Sequence, residues 1–416
     1  MNARLNSLDM PVPDARAETA ARARQQQLTK PPGALGRLEE LACWFAARLG
    51  SPTPQISRSE IFVFAADHGV AARGVSAFPQ SVTGQMLGNF ANGGAAINVL
   101  ASLEGCRIEV VDVGVAGDSE LPRGVRNERV RAGTRDLFAE AAMTDEELTA
   151  ALGVGERCAR EAVQRGAQLI IAGDMGIANT TAAACLICAF TDALPEQVVG
   201  RGTGVDDVGL ARKREVVEGA LARARAAVSG AAARGALVGG TVTGGTATGG
   251  AAVAGVALGR TASGGPAIGR TPTDGPAAVG AAGAAQSGTI ARQLFAHLGG
   301  LEIAAMAGLY MEAARNGVPV LLDGYISTAA ALAAVRLEPR TLPWMLASHR
   351  SAEGGHSVAL QALGLDPLVD LRMRLGEGSG AALTLPIIKA ALALHRNMAT
   401  FAQAGVDGGA PAGATP

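Results

Sequence analysis

In Arg374-Leu375-Gly376-Glu377-Gly378-Ser379-Gly380 a single carboxylate stands between two glycines, with another glycine two residues on. Glycine serves where backbone must turn sharply or lie close to a ligand. Glu377 is therefore either decoration on a turn or an acid held out toward something bound. A second constellation is "LIIAGDMGIANTTAAACL" (169–186): an apolar run, a loop with two glycines, and a helix opening at Asn179-Thr180-Thr181. The free N–H groups and positive dipole end of a helix N-terminus suit an anion. Thr180 and Thr181 serve either as caps or as donors to a phosphate. The loop matches neither G-x-x-x-x-G-K-S/T nor G-x-G-x-x-G, so ATP and dinucleotide readings lose their main support.

Two further segments carry polar groups. "GRGTGVDDVGLARKRE" (200–215) ends in a helix with Arg212, Lys213 and Arg214, which by itself reads as a solvated basic face. "SHRSAEGGHS" (348–357) gathers Ser348, His349, Ser351, Glu353 and His356. Without an H-E-x-x-H spacing, its histidines read as structural rather than as metal ligands. Cys185 and Cys188 form a C-x-x-C inside "TTAAACLICAF", which reads as one face of a buried helix. The five cysteines are scattered and odd in number, so no disulfide framework is implied.

These groups need strands to position them. Short apolar runs at 60–69, 107–115, 168–176, 318–327, 344–351 and 371–378 alternate with helical patterns, which predicts an α/β fold. Its parallel sheet is expected to be covered on both faces. Asp67, His68, Asp112, Asp174, Asp323, Ser348, His349, Ser351 and Glu377 fall where those runs end. In open α/β sheets ligands bind beyond the carboxyl ends of the strands, so these residues are expected to converge on one crevice. Residues 1–58 and 387–416 read as helical and predict a small helical domain built from both termini, beside a large α/β domain over 59–386. Residues 229–289 are low in complexity and read as a disordered insertion.

Composition narrows the partners. Hydrophobic residues make up 48%, charged residues 18%, and the net charge is -1, which gives no field for nucleic acid or anionic membrane. At 3%, aromatics are too scarce for a base-stacking platform. The uncharged run Gly235 to Gly259 is long enough to span a bilayer, but Gly and Thr pairs leave it few bulky apolar side chains. With no apolar opening segment of signal-peptide length, the expectation is a soluble, cytoplasmic protein.

Taken in order, "KPPGALGRLEELA", "AADHGV", "FPQSVTGQML", "GDMGIANTTAAA", "GRGTGVDD", "LDGYISTAAAL", "SHRSAEGGHS" and "LRMRLGEGSGAAL" span most of the chain. Together they resemble the nicotinate-nucleotide–dimethylbenzimidazole phosphoribosyltransferase family. The resemblance implies a homodimer, each subunit a Rossmann-like six-stranded parallel sheet flanked by helices, with a small helical domain from the N- and C-termini. It implies transfer of 5-phosphoribosyl from nicotinate mononucleotide to 5,6-dimethylbenzimidazole with inversion at C1′, giving α-ribazole 5′-phosphate and nicotinate. No metal or organic cofactor is implied. Carried over residue by residue, Glu377 is the general base. Asp174, Gly176, Asn179, Thr180, Thr181, Lys213 and Ser351 face the nucleotide and its phosphate. Phe78, Gln85, Met86 and Leu375 line the benzimidazole pocket. Asp174 stands where some relatives carry the longer Glu. A catalytically inactive nucleotide-binding sensor is the alternative, disfavoured because Glu377 is present.

Overall fold

The computed structural model describes residues 10–117, 120–239 and 281–407, with side chains left aside for 231–239 and 281–285. Six strands, β1 (Ser59–Ala66), β2 (Arg107–Gly114), β3 (Val125–Asn127), β4 (Leu169–Met175), β5 (Val320–Leu322) and β6 (Met345–Ala347), form one sheet. Its order is β3-β2-β1-β4-β5-β6, and every neighbouring pair is parallel. The order reverses between β1 and β4, and such a switch point opens a crevice beyond the strand ends.

Alternation along the strands divides the apolar side chains between two cores. Phe62, Phe64, Ile170, Ala172, Val320, Leu322, Met345 and Ala347 join one cluster, with helices Asp145–Gln164, Asn179–Thr191, Leu301–Arg315 and Tyr325–Leu337. Ile61, Val63, Ala65, Leu169, Ile171, Leu321 and Leu346 join the other. Helices Arg37–Leu49, Ser81–Ala91, Ala96–Glu104 and Ser379–Asn397 cover that second face.

Two sequence expectations need correction. Residues 371–378 form no strand, because Gly376, Glu377 and Gly378 all have positive φ and extended backbone stops there. The sixth strand is Val125–Asn127, an edge strand of two half-exposed residues and one exposed residue that leaves no apolar signature. The strands β5 and β6 are also shorter than the apolar runs that contain them, since helix Tyr325–Leu337 begins inside the first of those runs.

Terminal segments meet: Leu28 bridges Thr400, and Arg24 donates to the carbonyls of His395 and Arg396, both at 2.8 Å. Leu41, Trp44 and Phe45 join the core of the second sheet face, while Ala21, Cys43 and Ala46 form a small cluster of their own. Of the segment 229–289, its first part ends helix Asp207–Gly239 and its last part opens helix Ala281–Leu298; residues 240–280 lie outside the described residues. Residues 240–259 of the uncharged run 235–259 lie there too. Among the described residues no helix is long and apolar enough to cross a membrane.

Helices Asp145–Gln164 and Leu301–Arg315 cross at bare backbone. A β-carbon at Gly155 would overlap the carbonyl of Ala305, and one at Gly308 would overlap that of Leu152. Gly to Ala inside a helix ordinarily gains about 1 kcal/mol from propensity. Forcing a methyl between packed backbones costs about 1–3 kcal/mol or more. Gly155→Ala should therefore lower the urea midpoint. Gly153→Ala on the same helix, whose nearest neighbour would be the flexible Arg157 side chain at 3.4 Å, should hold or raise it. Equal midpoints for both variants would refute the crossing argument.

Candidate active site

Beyond the carboxyl ends of β4, β5 and β6 lies a cavity of about 310 Å³. The end of β4 contributes Asp174 and Met175, the segment after it Gly176, Ile177, Asn179 and Thr180, and the segments after β5 and β6 contribute Tyr325, His349, Ser351 and Glu353. Helix Ser81–Ala91 adds Val82 and Met86, and the 374–377 segment closes one edge.

Glu377 is 5% exposed with φ +64°, between Gly376 at +85° and Gly378 at +87°. A non-glycine residue held there costs roughly 1–2 kcal/mol, so its surroundings must impose it. Those surroundings are specific. The Glu377 N–H donates to the Asp174 carbonyl at 3.2 Å. The Asp323 carboxylate accepts from the N–H of Gly378 at 3.2 Å and of Ala381 at 2.9 Å, capping helix Ser379–Asn397. Gly173 completes the fit, because any β-carbon there would overlap the Glu377 carbonyl. Gly380 likewise leaves room for the His349 ring.

The Glu377 Oε2 atom is buried and has no hydrogen-bond partner among the described residues. Burial raises its pKa, and the nearby charge of Asp323 adds to that. The neighbouring donors at Ile97 and Ser379 pull the other way and do not cancel it. Asp174 is raised further, first by burial and then by Asp323, although Asn179 Nδ2 donates to its Oδ2 at 2.8 Å. The site thus crowds acids in a dry corner, which is how a carboxylate is made basic enough to accept a proton near neutrality.

The helix-opening loop is shaped by Ala178, which stands at φ +76° without a side-chain cap. Thr180 lines the cavity, and its Oγ1 accepts from Lys213 Nζ at 2.7 Å. With that lone pair occupied, the hydroxyl proton is free to point at a ligand. Lys213 also donates to the Gly200 carbonyl at 3.2 Å. Beneath Gly176 lies a fully buried pair, His68 Nε2 to Glu302 Oε1 at 2.6 Å. Burial alone would depress His68, but Glu302 outweighs it and the pKa is raised. On the far side the Ser351 N–H donates to His356 Nδ1 at 2.8 Å. Burial pushes His356 down to about 3, so the ring is neutral. Its Nε2–H then donates to Thr328 Oγ1 at 2.9 Å, and that hydroxyl donates onward to the Gly324 carbonyl.

Of the residues expected in the site, Glu377, Asp174, Gly176, Asn179, Thr180, Ser351, Phe78, Met86 and Leu375 line this cavity. Three do not. Gln85 points to solvent from the outer face of its helix, Thr181 is turned into the core, and Lys213 stands one side chain behind Thr180. Lys213 also departs from the solvated-face reading: it is 1% exposed, and burial pushes its pKa down to about 8. Neither Asp67 nor Asp112 reaches the cavity. Asp67 accepts from the Ala116 N–H at 2.8 Å, and Asp112 is held by Val115 and Arg129. Sequence reasoning missed Arg374, Thr203 and Tyr325 as lining residues and Asp323 as the helix cap. Arg374 opens the RLGEGSG run, where nothing in its spacing distinguishes it. Cys185 and Cys188 are buried in helix Asn179–Thr191, and burial raises both thiols, so they pack as small hydrophobes.

A family model described as phosphoribosyltransferase matches residues 10–287 and 277–406. A nicotinate-nucleotide–dimethylbenzimidazole phosphoribosyltransferase of Chromobacterium violaceum is 51% identical over 396 residues, covering 95% of this chain and 97% of its own. The protein of that name from Xanthomonas campestris pv. campestris strain 8004 is 45% identical over 398 residues, covering 95% and 96%. The crystal structure of the Thermus thermophilus protein of that name shares 41% identity and covers 95% of this chain and 100% of that chain, with a TM-score of 0.75.

Gly173 gives the site its sharpest mutational test. Gly173→Ala should leave a folded protein whose 376–378 turn is pushed off the strand, and a displacement near 1 Å costs on the order of 100-fold in rate. Full activity in the Ala variant would show that the turn is not set by this contact.

Proposed function

The chain belongs to the nicotinate-nucleotide–dimethylbenzimidazole phosphoribosyltransferase family, and we propose that Glu377 is the general base of the transfer that this family's name describes. The donor is nicotinate mononucleotide and the acceptor 5,6-dimethylbenzimidazole. One ring nitrogen of the acceptor attacks C1′ of the ribose while its N–H nitrogen gives up a proton to Glu377. The C1′–N bond to the pyridinium breaks, and its electron pair returns to the ring, so nicotinate leaves without an acid. Attack from the opposite face inverts C1′ and gives α-ribazole 5′-phosphate.

The observation that carries this reading is a buried carboxylate oxygen without a partner, Glu377 Oε2, held at the cavity edge in a backbone conformation that glutamate does not choose. Val82, Met86, Ile177 and Leu375 give the adjoining wall an apolar character that suits a benzimidazole. The phosphate is placed at the 176–181 loop, with Asn179, Thr180 and Ser351 as partners and Lys213 acting through the Thr180 hydroxyl. Thr181 and Gln85 keep no direct part in this assignment. A sensor that only bound nucleotide would have no use for the strained acid.

We also propose a cytoplasmic homodimer. Phe78 and Leu375 are 53% and 56% exposed at the cavity mouth, and such apolar side chains gain from a covering subunit. Light scattering that returned the mass of a single 41.7 kDa chain would end the dimer assignment.

Glu377→Gln should lower kcat by about 100- to 10,000-fold with a smaller change in KM, the range for loss of a positioned base. The sign of the pH dependence follows from the raised pKa. Glu377 accepts a proton only when ionised, so kcat falls as pH drops through a value above the ordinary carboxylate range. Lys213 is charged only below its own pKa of about 8, so kcat/KM should fall again above that. A flat kcat on the acid side, or a Gln variant with wild-type kcat, would remove Glu377 from the role.

A further inference from the structure

We propose that Arg374 is the residue that reads the 5′-phosphate of the donor and so selects a nucleotide over a nucleoside. The inference rests on the placement of the nucleotide phosphate given above. Among the described residues, Arg374 is the one lysine or arginine whose side chain lines the cavity. Three carboxylates, Asp174, Glu353 and Glu377, line the same space. A phosphate entering there carries a further charge of about −1.5 to −2. Without a cation it would meet like charge on several sides.

The geometry puts Arg374 at the right corner. Its Nη1 donates to the Gly202 carbonyl at 2.8 Å. Gly202 in turn lies against Thr180 and Lys213, since a β-carbon there would stand 2.7 Å from Thr180 Oγ1 and 2.9 Å from Lys213 Nζ. The guanidinium is therefore tied to the same glycine that packs against Thr180 and Lys213 at the helix-opening loop. A guanidinium offers five donors in a planar fork, and Gly202 is a neutral acceptor for one of them. A phosphate would make charge-assisted, bidentate bonds roughly twice as strong, enough to draw the fork from the carbonyl onto the ligand. Lys213 does not replace it, being screened from the cavity by Thr180.

The test compares wild type, Arg374→Met and Arg374→Lys on nicotinate mononucleotide, nicotinate riboside and nicotinamide mononucleotide. Dissociation constants are measured by calorimetry without the acceptor base, and kcat/KM is measured with it. In the Met variant the preference for mononucleotide over riboside should shrink by about 10- to 100-fold, the range for loss of a charged hydrogen-bonding partner. Nicotinamide mononucleotide, which keeps the phosphate but lacks the ring carboxylate, should weaken as much as nicotinate mononucleotide. The Lys variant should recover only part of the preference, because a point charge lacks the fork. If mononucleotide and riboside weaken equally, Arg374 merely braces the Gly202 loop. If nicotinamide mononucleotide is spared, Arg374 reads the carboxylate instead. Either result overturns the proposal. A wild type that binds mononucleotide yet forms no product would strike the proposed reaction, while the affinity ratios would still judge Arg374.

Discussion

A stretch of bare backbone at Gly173 lets the 376–378 turn rest directly on the end of β4, and the remaining site geometry follows from that contact. With no side chain intervening, the Glu377 N–H reaches the Asp174 carbonyl, and the turn delivers helix Ser379–Asn397 to the Asp323 carboxylate. Two strands thus fix the turn, one through main chain and one through a side chain. None of these three bonds is strong alone, at about 0.5–1.5 kcal/mol for a neutral hydrogen bond and about 1.5–3 for one to a carboxylate. Together they exceed the roughly 1–2 kcal/mol that a left-handed glutamate costs.

The same convergence creates an electrostatic tension. Asp174, Asp323 and Glu377 are all buried; Asp323 raises the pKa of both others, and Glu377 raises that of Asp174. Asp323 is relieved by the N–H groups of the helix it caps, and Asp174 by Asn179. Glu377 keeps its Oε2 atom without such a donor, so that oxygen is free to accept a proton from a ligand. Crowding of this kind is tolerable because the β1/β4 switch point leaves a crevice that a polar ligand can fill.

Much of this was legible in the sequence, for particular reasons. The apolar runs of β1 and β4 and the second half of β2 are buried on both faces, so they stand out without any partner being known. The glycine-flanked Glu377 and the Asn179-Thr180-Thr181 helix start were visible because glycine and capping residues mark unusual backbone. What escaped is set by tertiary contact. Val125–Asn127 is a strand only because β2 offers it an edge. The 371–378 run carries apolar residues but ends in left-handed turns, which no period reveals. Lys213 looked solvated from its basic neighbours, and only the fold shows it buried behind Thr180. Gln85 and Met86 are adjacent in sequence, yet a helix turns them to different sides.

Helix Ser379–Asn397 is gripped at its far end as well. The Gln25 side chain donates to His395 Nδ1 at 2.8 Å, the His395 Nε2–H donates to the Pro52 carbonyl at 2.8 Å, and Arg24 takes the last carbonyls. The proposed base is therefore mounted on a beam whose other end is clamped by Arg24, Gln25 and the Pro52 carbonyl. Loosening of that distant clamp would slacken the beam without exposing either core. On warming, such an enzyme would lose turnover before it loses its fold, so its working range would be set by a joint between its two ends.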